Sequence, residues 1–352
     1  MSGSIPQESI LQTGSGSNTM KKAKSTFLHE GSFGCAYTPP LPCRKGKKTR
    51  SRSLLRTRLV GKILPKADVG VELSLTHLIR SIPDYEKYYI VQEEESCDAR
   101  NFFLARDSYA GECKLYQRKK DGELAQLVSP YGGTALHKSA FGHDFDYMKS
   151  FKHLLRGVAQ LNTIGICHFD LHMANVLRDY EGTIRIIDFG ISFAIPNLTK
   201  AMIEQRQVEF SPGYAVEAPD LTIQRAIFDG INLDIALNML MKEKKVLPMA
   251  ASVLGLSLEE QKEALRRFCL EDRSMREHNW LEFYKAYAFK WDAWCVGMIF
   301  MYILHDLLLQ TWFVTTVWHV NKEKIRKVLR GLLRTDPRQR LSAADALTIM
   351  NA

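Results

Sequence analysis

Between Phe151 and Leu161 apolar side chains recur every three or four positions. Phe151, Leu154, Leu155, Val158, Ala159 and Leu161 share one face, which predicts an amphipathic helix with that stripe toward a core. Upstream the pattern differs. From Thr26 to about Pro130, short apolar runs are broken by Gly, Pro and charged residues, which predicts a small strand-rich unit. Leu124–Ser129 (LAQLVS) reads as one of its strands, and Pro130-Tyr131-Gly132-Gly133 as the connector to the next unit. Ile184–Ile187 (IRII) predicts a further short strand. Beyond about Ile223 the pattern is mostly helical. Ser257 before Leu258-Glu259-Glu260 predicts a helix start, its hydroxyl capping the first turn and its acids at the positive end of the dipole. No internal repeat is visible. The fold class expected is α+β, a small β-rich unit followed by a larger α-rich one.

Charge changes this picture in one place. The net charge is +9, but eight basic residues and no acidic ones lie between Arg44 and Arg58. Like charge at that density opposes compaction, so 44–58 is expected to be an exposed loop able to make weak polyanion contacts. The remainder is near neutral, which excludes a fold built throughout to coat nucleic acid. Residues 1–26, rich in Ser and Gly, are expected to be a disordered tail without the apolar core of a signal peptide. The most apolar stretch, Val296–Val320, is interrupted by His305 and Asp306 and reads as buried helices, so no membrane span is expected. Seven cysteines occur without a Cys-x-x-Cys pair, so separate reduced thiols of an intracellular protein are expected, and neither a disulfide framework nor a zinc site.

The densest chemistry is His168-Phe169-Asp170-Leu171-His172-Met173-Ala174-Asn175, followed by Ile187-Asp188-Phe189-Gly190. Phosphoryl transfer needs a carboxylate to orient an attacking hydroxyl and oxygen ligands for magnesium at the phosphates. Asp170 offers the first; Asn175 and Asp188 offer the second. The combination resembles the catalytic loop and Asp-Phe-Gly motif of the protein kinases. His29-Glu30-Gly31-Ser32-Phe33-Gly34-Cys35 is similar to the kinase glycine-rich loop, with His29 in place of its first glycine. Val60-Gly61-Lys62-Ile63-Leu64 resembles the strand whose lysine pairs with the α- and β-phosphates, and Glu72 is the one glutamate before Glu86 that can partner it.

Downstream, Tyr214 to Asp220 (YAVEAPD) resembles the end of an activation segment. Trp291 to Gly297 resembles the start of the buried central helix, whose Asp holds the catalytic loop. Leu333 to Ala343 resembles the last kinase motif, which implies that Arg340 pairs with Asp220. The resemblance runs from about residue 27 to 349 and is nearest to the Ser/Thr kinases of large double-stranded DNA viruses, on Gly31 to Cys35, Pro39 to Cys43, Tyr131 to Gly133 and Tyr214 to Asp220.

The resemblance implies a bilobal kinase fold, with an N-lobe over 27–130, a C-lobe over 131–352 and an insertion at about 225–283. It implies a monomeric serine/threonine kinase using ATP and Mg2+ on protein substrates, in host cytoplasm or virion. In it Asp170, His172 and Lys62 are catalytic, and Gly31, Ser32, Phe33, Gly34, Lys62, Glu72 and Tyr131 bind nucleotide. Asn175 and Asp188 hold metal. Ser211 stands where a hydroxyl that bonds the catalytic Asp is expected. Two departures bear on mechanism. Phe169 replaces an Arg, so the activation segment is expected to need no phosphate, with Ser192 and Thr199 as passenger acceptors. His172 replaces a Lys, which also fits a small-molecule phosphotransferase of the aminoglycoside or choline type; a pseudokinase is the third reading.

Overall fold

The computed structural model describes residues 25–31, 34–41, 59–93, 96–98, 113–115 and 123–352. Ser32, Phe33, the basic segment 44–58 and nearly all of the tail lie outside the described residues.

Five strands form an antiparallel sheet: β1 (Thr26–Gly31), β2 (Gly34–Thr38), β3 (Leu59–Pro65), β4 (Ser96–Asp98) and β5 (Leu124–Pro130), in the order β1-β2-β3-β5-β4. Lys62 sits mid-sheet, opposite Ala36 on β2 and Leu127 on β5. Gly34 is required by this packing. A Cβ there would lie 2.2 Å from the Ile63 carbonyl, so β2 and β3 approach this closely only with glycine. Helix α1 (Lys66–Arg80) follows β3 without a loop and buries Glu72, Leu75, Thr76 and Ile79 at three- and four-residue spacing.

The sheet has its own small core of Cys35, Tyr37, Leu41, Ile63, Cys113 and Leu124. Cys35 and Cys113 are joined by a disulfide, with Cα atoms 6.0 Å apart and 78 positions of chain between them. Cys97 is disulfide-bonded as well, whereas Cys167, Cys269 and Cys295 are free and buried. This corrects the expectation of separate reduced thiols throughout. Cysteine spacing is silent here because the pairing depends on which distant segment the fold lays beside β2.

The rest of the chain is mainly helical. Short strands β6 (Thr134–Ala135), β8 (Val176–Arg178) and β9 (Ile184–Ile186) pair in the order β6-β8-β9, and β7 (Ile166–Cys167) pairs with β10 (Phe193–Ala194). Helix α2 (Tyr147–Thr163) starts on the Asp146 side chain and buries the predicted stripe. Two short helices, α3 (Lys200–Glu204) and α4 (Pro219–Phe228), follow. The segment 225–283 is mostly helical, with α5 (Leu233–Glu243), α6 (Val246–Leu254), α7 (Leu258–Glu271) and α8 (Arg273–Arg276). Ser257 caps α7 as its sequence predicts, accepting from the Glu260 N–H.

Helix α9 (Trp280–Leu307) is the axis of the large core. It is apolar all round over its second half, as a helix enclosed by others should be. A π turn at Val314–Trp318 leads into α10 (His319–Leu332), and α11 (Ala343–Asn351) closes the chain's fold behind a Ser342 capping box. No single described helix is long and apolar enough to cross a membrane; α9 and the helical run from Thr311 meet at 112°.

Candidate active site

Lys62 leaves the middle of β3 and meets two carboxylates. Its Nζ donates to Glu72 Oε1 at 2.9 Å and Oε2 at 3.1 Å, and to Asp188 Oδ1 at 2.8 Å. Burial alone would lower the ammonium, but Asp188 and Glu72 outweigh it and raise it to about 12. Burial likewise opposes the Asp188 charge, and Lys62 overcomes it, holding that carboxyl below the usual range. Gln92 Nε2 also donates to Glu72 Oε1 at 3.2 Å, a support that its sequence position did not signal.

The hairpin β8–β9 brings the metal candidates together. Val176 pairs with Ile186, and the Ile187 N–H donates to the Asn175 carbonyl at 2.9 Å. Asn175 and Asp188 therefore flank one end of the hairpin. Asn175 is buried, and its Nδ2 donates to the Asp170 carbonyl at 2.9 Å and to Oδ2 at 3.2 Å. The amide oxygen is thus the donor it has for a cation. His172 Nδ1 accepts from the Ala174 N–H at 3.2 Å, and Nε2 lies 3.6 Å from Asp170 Oδ1.

The catalytic loop is held from beneath. Asp292, fully buried in α9, accepts from the backbone N–H of His168 at 2.7 Å and of Phe169 at 3.0 Å. Burial raises the Asp292 carboxyl, opposed by His168 and those two N–H groups. His168, also fully buried, links both halves of the site. Its Nε2 can only donate to the Ile187 carbonyl (3.0 Å), and its Nδ1 accepts from the Asp170 N–H (3.3 Å). Phe169 and Asp188 adopt left-handed φ of 69° and 63°, conformations that cost a non-glycine residue and persist where surroundings over-determine them.

Phe169 packs on Phe193 of β10 (ring centroids 5.3 Å apart) and on Trp291 of α9 (5.8 Å). Ser192 is buried and donates to the His168 carbonyl at 2.9 Å, so it is part of the loop's support and not an accessible phosphate acceptor. Thr199 caps α3 through its side chain. At the other end, Arg340 NH2 meets Asp220 Oδ1 at 2.6 Å, with both side chains fully buried, and Trp291 Nε1 donates to Asp220 Oδ2 at 2.7 Å.

The Ser211 hydroxyl makes no hydrogen bond to Asp170 among the described residues; Ser211 is exposed and its carbonyl accepts from the Tyr214 N–H. Tyr214, three residues on, is the group of this loop whose phenol feels the Asp170 charge. Burial, then the Asp170 carboxylate, push its phenol up to about 12. Sequence reasoning had not marked Tyr214 for this place. Of the nucleotide candidates, Gly31 pairs with Gly34 across the hairpin. Tyr131 is half-exposed just past β5. Next to it, Gly133 has φ of 106°, and a Cβ there would lie 2.1 Å from the Arg178 carbonyl.

Residues 115–235 match the family model described as the protein kinase domain. The match takes in Tyr131, Asp170, Asn175, Asp188 and Asp220 and stops short of Lys62, Glu72 and Arg340. The chain is 28% identical over 138 residues to the serine/threonine-protein kinase HAL4/SAT4 of Saccharomyces cerevisiae, 38% of this chain and 20% of that protein. It is 34% identical over 85 residues to the serine/threonine-protein kinase chk1 of Schizosaccharomyces pombe, 24% of this chain and 16% of that one. It is 36% identical over 90 residues to the CBL-interacting serine/threonine-protein kinase 1 of Arabidopsis thaliana, 26% and 19% of the two chains. The matched segments span a fifth or less of each relative's length. These similarities support the protein kinase superfamily and an α+β kinase-like fold.

Proposed function

We propose that this protein is a bilobal serine/threonine kinase that transfers the γ-phosphate of ATP to hydroxyls of protein substrates. The observation that carries the reading is the joining of Lys62 of the sheet to Asp188 of the helical part, at 2.8 Å, with Glu72 behind Lys62 and Asn175 on Asp170. A structural ion pair needs one partner. A buried lysine between two carboxylates, one of them beside a second oxygen donor, has the composition of a phosphate and cation site.

The donor set fits the group that such chemistry requires. Asp188 and the Asn175 amide supply hard oxygens, the ligands magnesium takes, and no thiolate or imidazole lies among them. Magnesium bound there supplies charge compensation at the β- and γ-phosphates. Lys62 grips the α- and β-phosphates and Glu72 fixes its direction. Asp170 orients the acceptor hydroxyl and takes its proton as the new O–P bond forms. The bond from the γ-phosphorus to the bridging oxygen breaks, and its electron pair leaves with ADP. His172 has its Nδ1 accepting from the Ala174 N–H, so the ring proton sits on Nε2, 3.6 Å from Asp170 Oδ1, where it supports that carboxylate. A Cβ on Gly31 would meet nothing nearer than the Gly34 carbonyl at 3.9 Å among the described residues, which leaves the backbone there open to a ligand.

Specificity for Ser/Thr rests on the relatives' names and on the resemblance. The nearness to kinases of large DNA viruses, with action in host cytoplasm or virion, rests on the motifs alone. The small-molecule reading is less favoured because it accounts for His172 but not for the Tyr214–Asp220 stretch or the Asp336–Arg340 motif, which the buried Asp220–Arg340 pair joins. The test is incubation with labelled ATP, magnesium and generic acceptor proteins, followed by phosphoamino-acid analysis. Phosphoserine and phosphothreonine are expected. No labelled protein, or dominant phosphotyrosine, overturns the reading.

A further inference from the structure

The inserted segment 225–283 places a lysine where the fold has no packing use for one. Lys244 ends α5 and is fully buried. Its Nζ donates to the Tyr214 carbonyl at 2.5 Å and to the Glu217 carbonyl at 3.0 Å. Both acceptors belong to a loop that shares its support with the loop carrying Asp170: α9 holds the first through Cys295 and the second through Asp292, three residues earlier. A buried ammonium carries a desolvation cost of several kcal/mol, which a methionine of similar volume would avoid. Two carbonyls of one loop, three residues apart, are what it has in exchange.

Other contacts converge on the same loop. Cys295 of α9 donates its thiol to the Val216 carbonyl at 3.2 Å. Glu217 forms a buried ion pair with Arg225 of α4, and Arg225 donates onward to the Arg206 carbonyl at 3.0 Å. Gly213 abuts the end of α5, where a Cβ would lie 3.6 Å from the Glu243 carbonyl. The loop 213–217 is thus held from the insertion on one side and from α9 and α4 on the other.

We propose that Lys244 is a positioning residue for the protein acceptor: it holds the Tyr214–Glu217 loop in register with Asp170 and so sets how a substrate polypeptide lies at the catalytic carboxylate. The proposal rests on the kinase reading above. It assigns the insertion a task in acceptor binding, separate from nucleotide binding, which lies at Lys62 and Asp188. Burial lowers the Lys244 amine to about 8, opposed by Glu217, Cys295 and Asp220. Charge-assisted bonds are roughly twice as strong as neutral ones, so the hold should weaken as that proton leaves.

The experiment measures KM for an acceptor protein and for ATP separately in the full chain, for wild type, Lys244→Met and Lys244→Arg, with melting curves for each. Expected for Lys244→Met is an acceptor KM raised about tenfold or more, with ATP KM within twofold of wild type. Lys244→Arg, which keeps the charge and the donors, should recover part of the loss. An unchanged acceptor KM in folded Lys244→Met overturns the proposal. So does a loss in which both KM values and the melting temperature move together, since that is a structural role. Should Lys244→Met fail to fold, wild type decides the matter. Between pH 7 and 9.5 its acceptor KM should rise severalfold through about 8 while ATP KM stays flat. The groups facing Lys244 are the Glu217 and Asp220 carboxyls, the Arg225 guanidinium paired with Glu217, and the Cys295 thiol and Tyr214 phenol, both raised out of that range. A flat acceptor KM sinks the assignment. If wild type phosphorylates no acceptor at all, the kinase reading fails instead.

Discussion

Asp170 and Lys62 do separable work, and substitution separates them. In the proposed reaction Asp170 faces the acceptor hydroxyl, so Asp170→Asn should lower phosphotransfer by on the order of 10² or more while leaving nucleotide affinity near wild type. Transfer rates together with fluorescent-nucleotide titration check this, and more than half the activity remaining contradicts the role. Lys62 has an alkaline signature. Its folded value of about 12 lies above the 10.5 of an unfolded lysine, so the folded state binds the proton more tightly. Its contribution to stability is complete below about 10.5 and lost as pH rises through about 12. That gap is worth on the order of 2 kcal/mol. In the difference between wild type and Lys62→Met denaturation curves, the wild-type advantage should shrink across that window; a difference independent of pH refutes the ion-pair account.

At the scale of elements, the segment from Ser192 to Asp220 is ordered by packing. Phe169 lies on Phe193 and Trp291, and Ser192 bonds the His168 carbonyl. With an apolar ring where a cationic pocket would need its arginine, dephosphorylated enzyme should keep kcat within a few-fold, as should Thr199→Ala. A hundredfold drop on phosphatase treatment would show a cation cluster elsewhere. The sheet depends on a different device. The Cys35–Cys113 disulfide closes 78 positions of chain onto the small core around Tyr37 and Ile63. Replacing both by Ser should cost about 2–4 kcal/mol in denaturant unfolding, with the loss seen first in hydrogen exchange of β1 to β3. Equal stability of the double variant and wild type contradicts this.

For the whole molecule, two buried long-range joints bear on the site. Asp292 ties α9 to the catalytic loop, and Arg340 ties the last motif to Asp220 across 120 positions. Arg340→Ala strands a carboxylate that is 0% exposed and should cost about 3–5 kcal/mol, lowering the melting temperature and the yield of folded protein. A loss under about 1 kcal/mol would mean that Trp291 alone satisfies Asp220. Much of this was legible in the chain. Helix α2, strands β5 and β9 and the Ser257 cap follow from periodicity and local hydrogen bonding, which act within a few residues. The short motif spacing from His168 to Gly190 spans a single hairpin, so Asp170, Asn175 and Asp188 are brought together by local geometry that a sequence can state. Only the tertiary structure decided that Cys35 meets Cys113, that Ser211 is left exposed with its carbonyl in a turn to Tyr214, and that Lys244 is the buried one among the lysines near the end of α5. Each of those depends on which distant surfaces exclude water together. Burial of that kind is a property of the packed chain, and residue type and spacing carry no record of it.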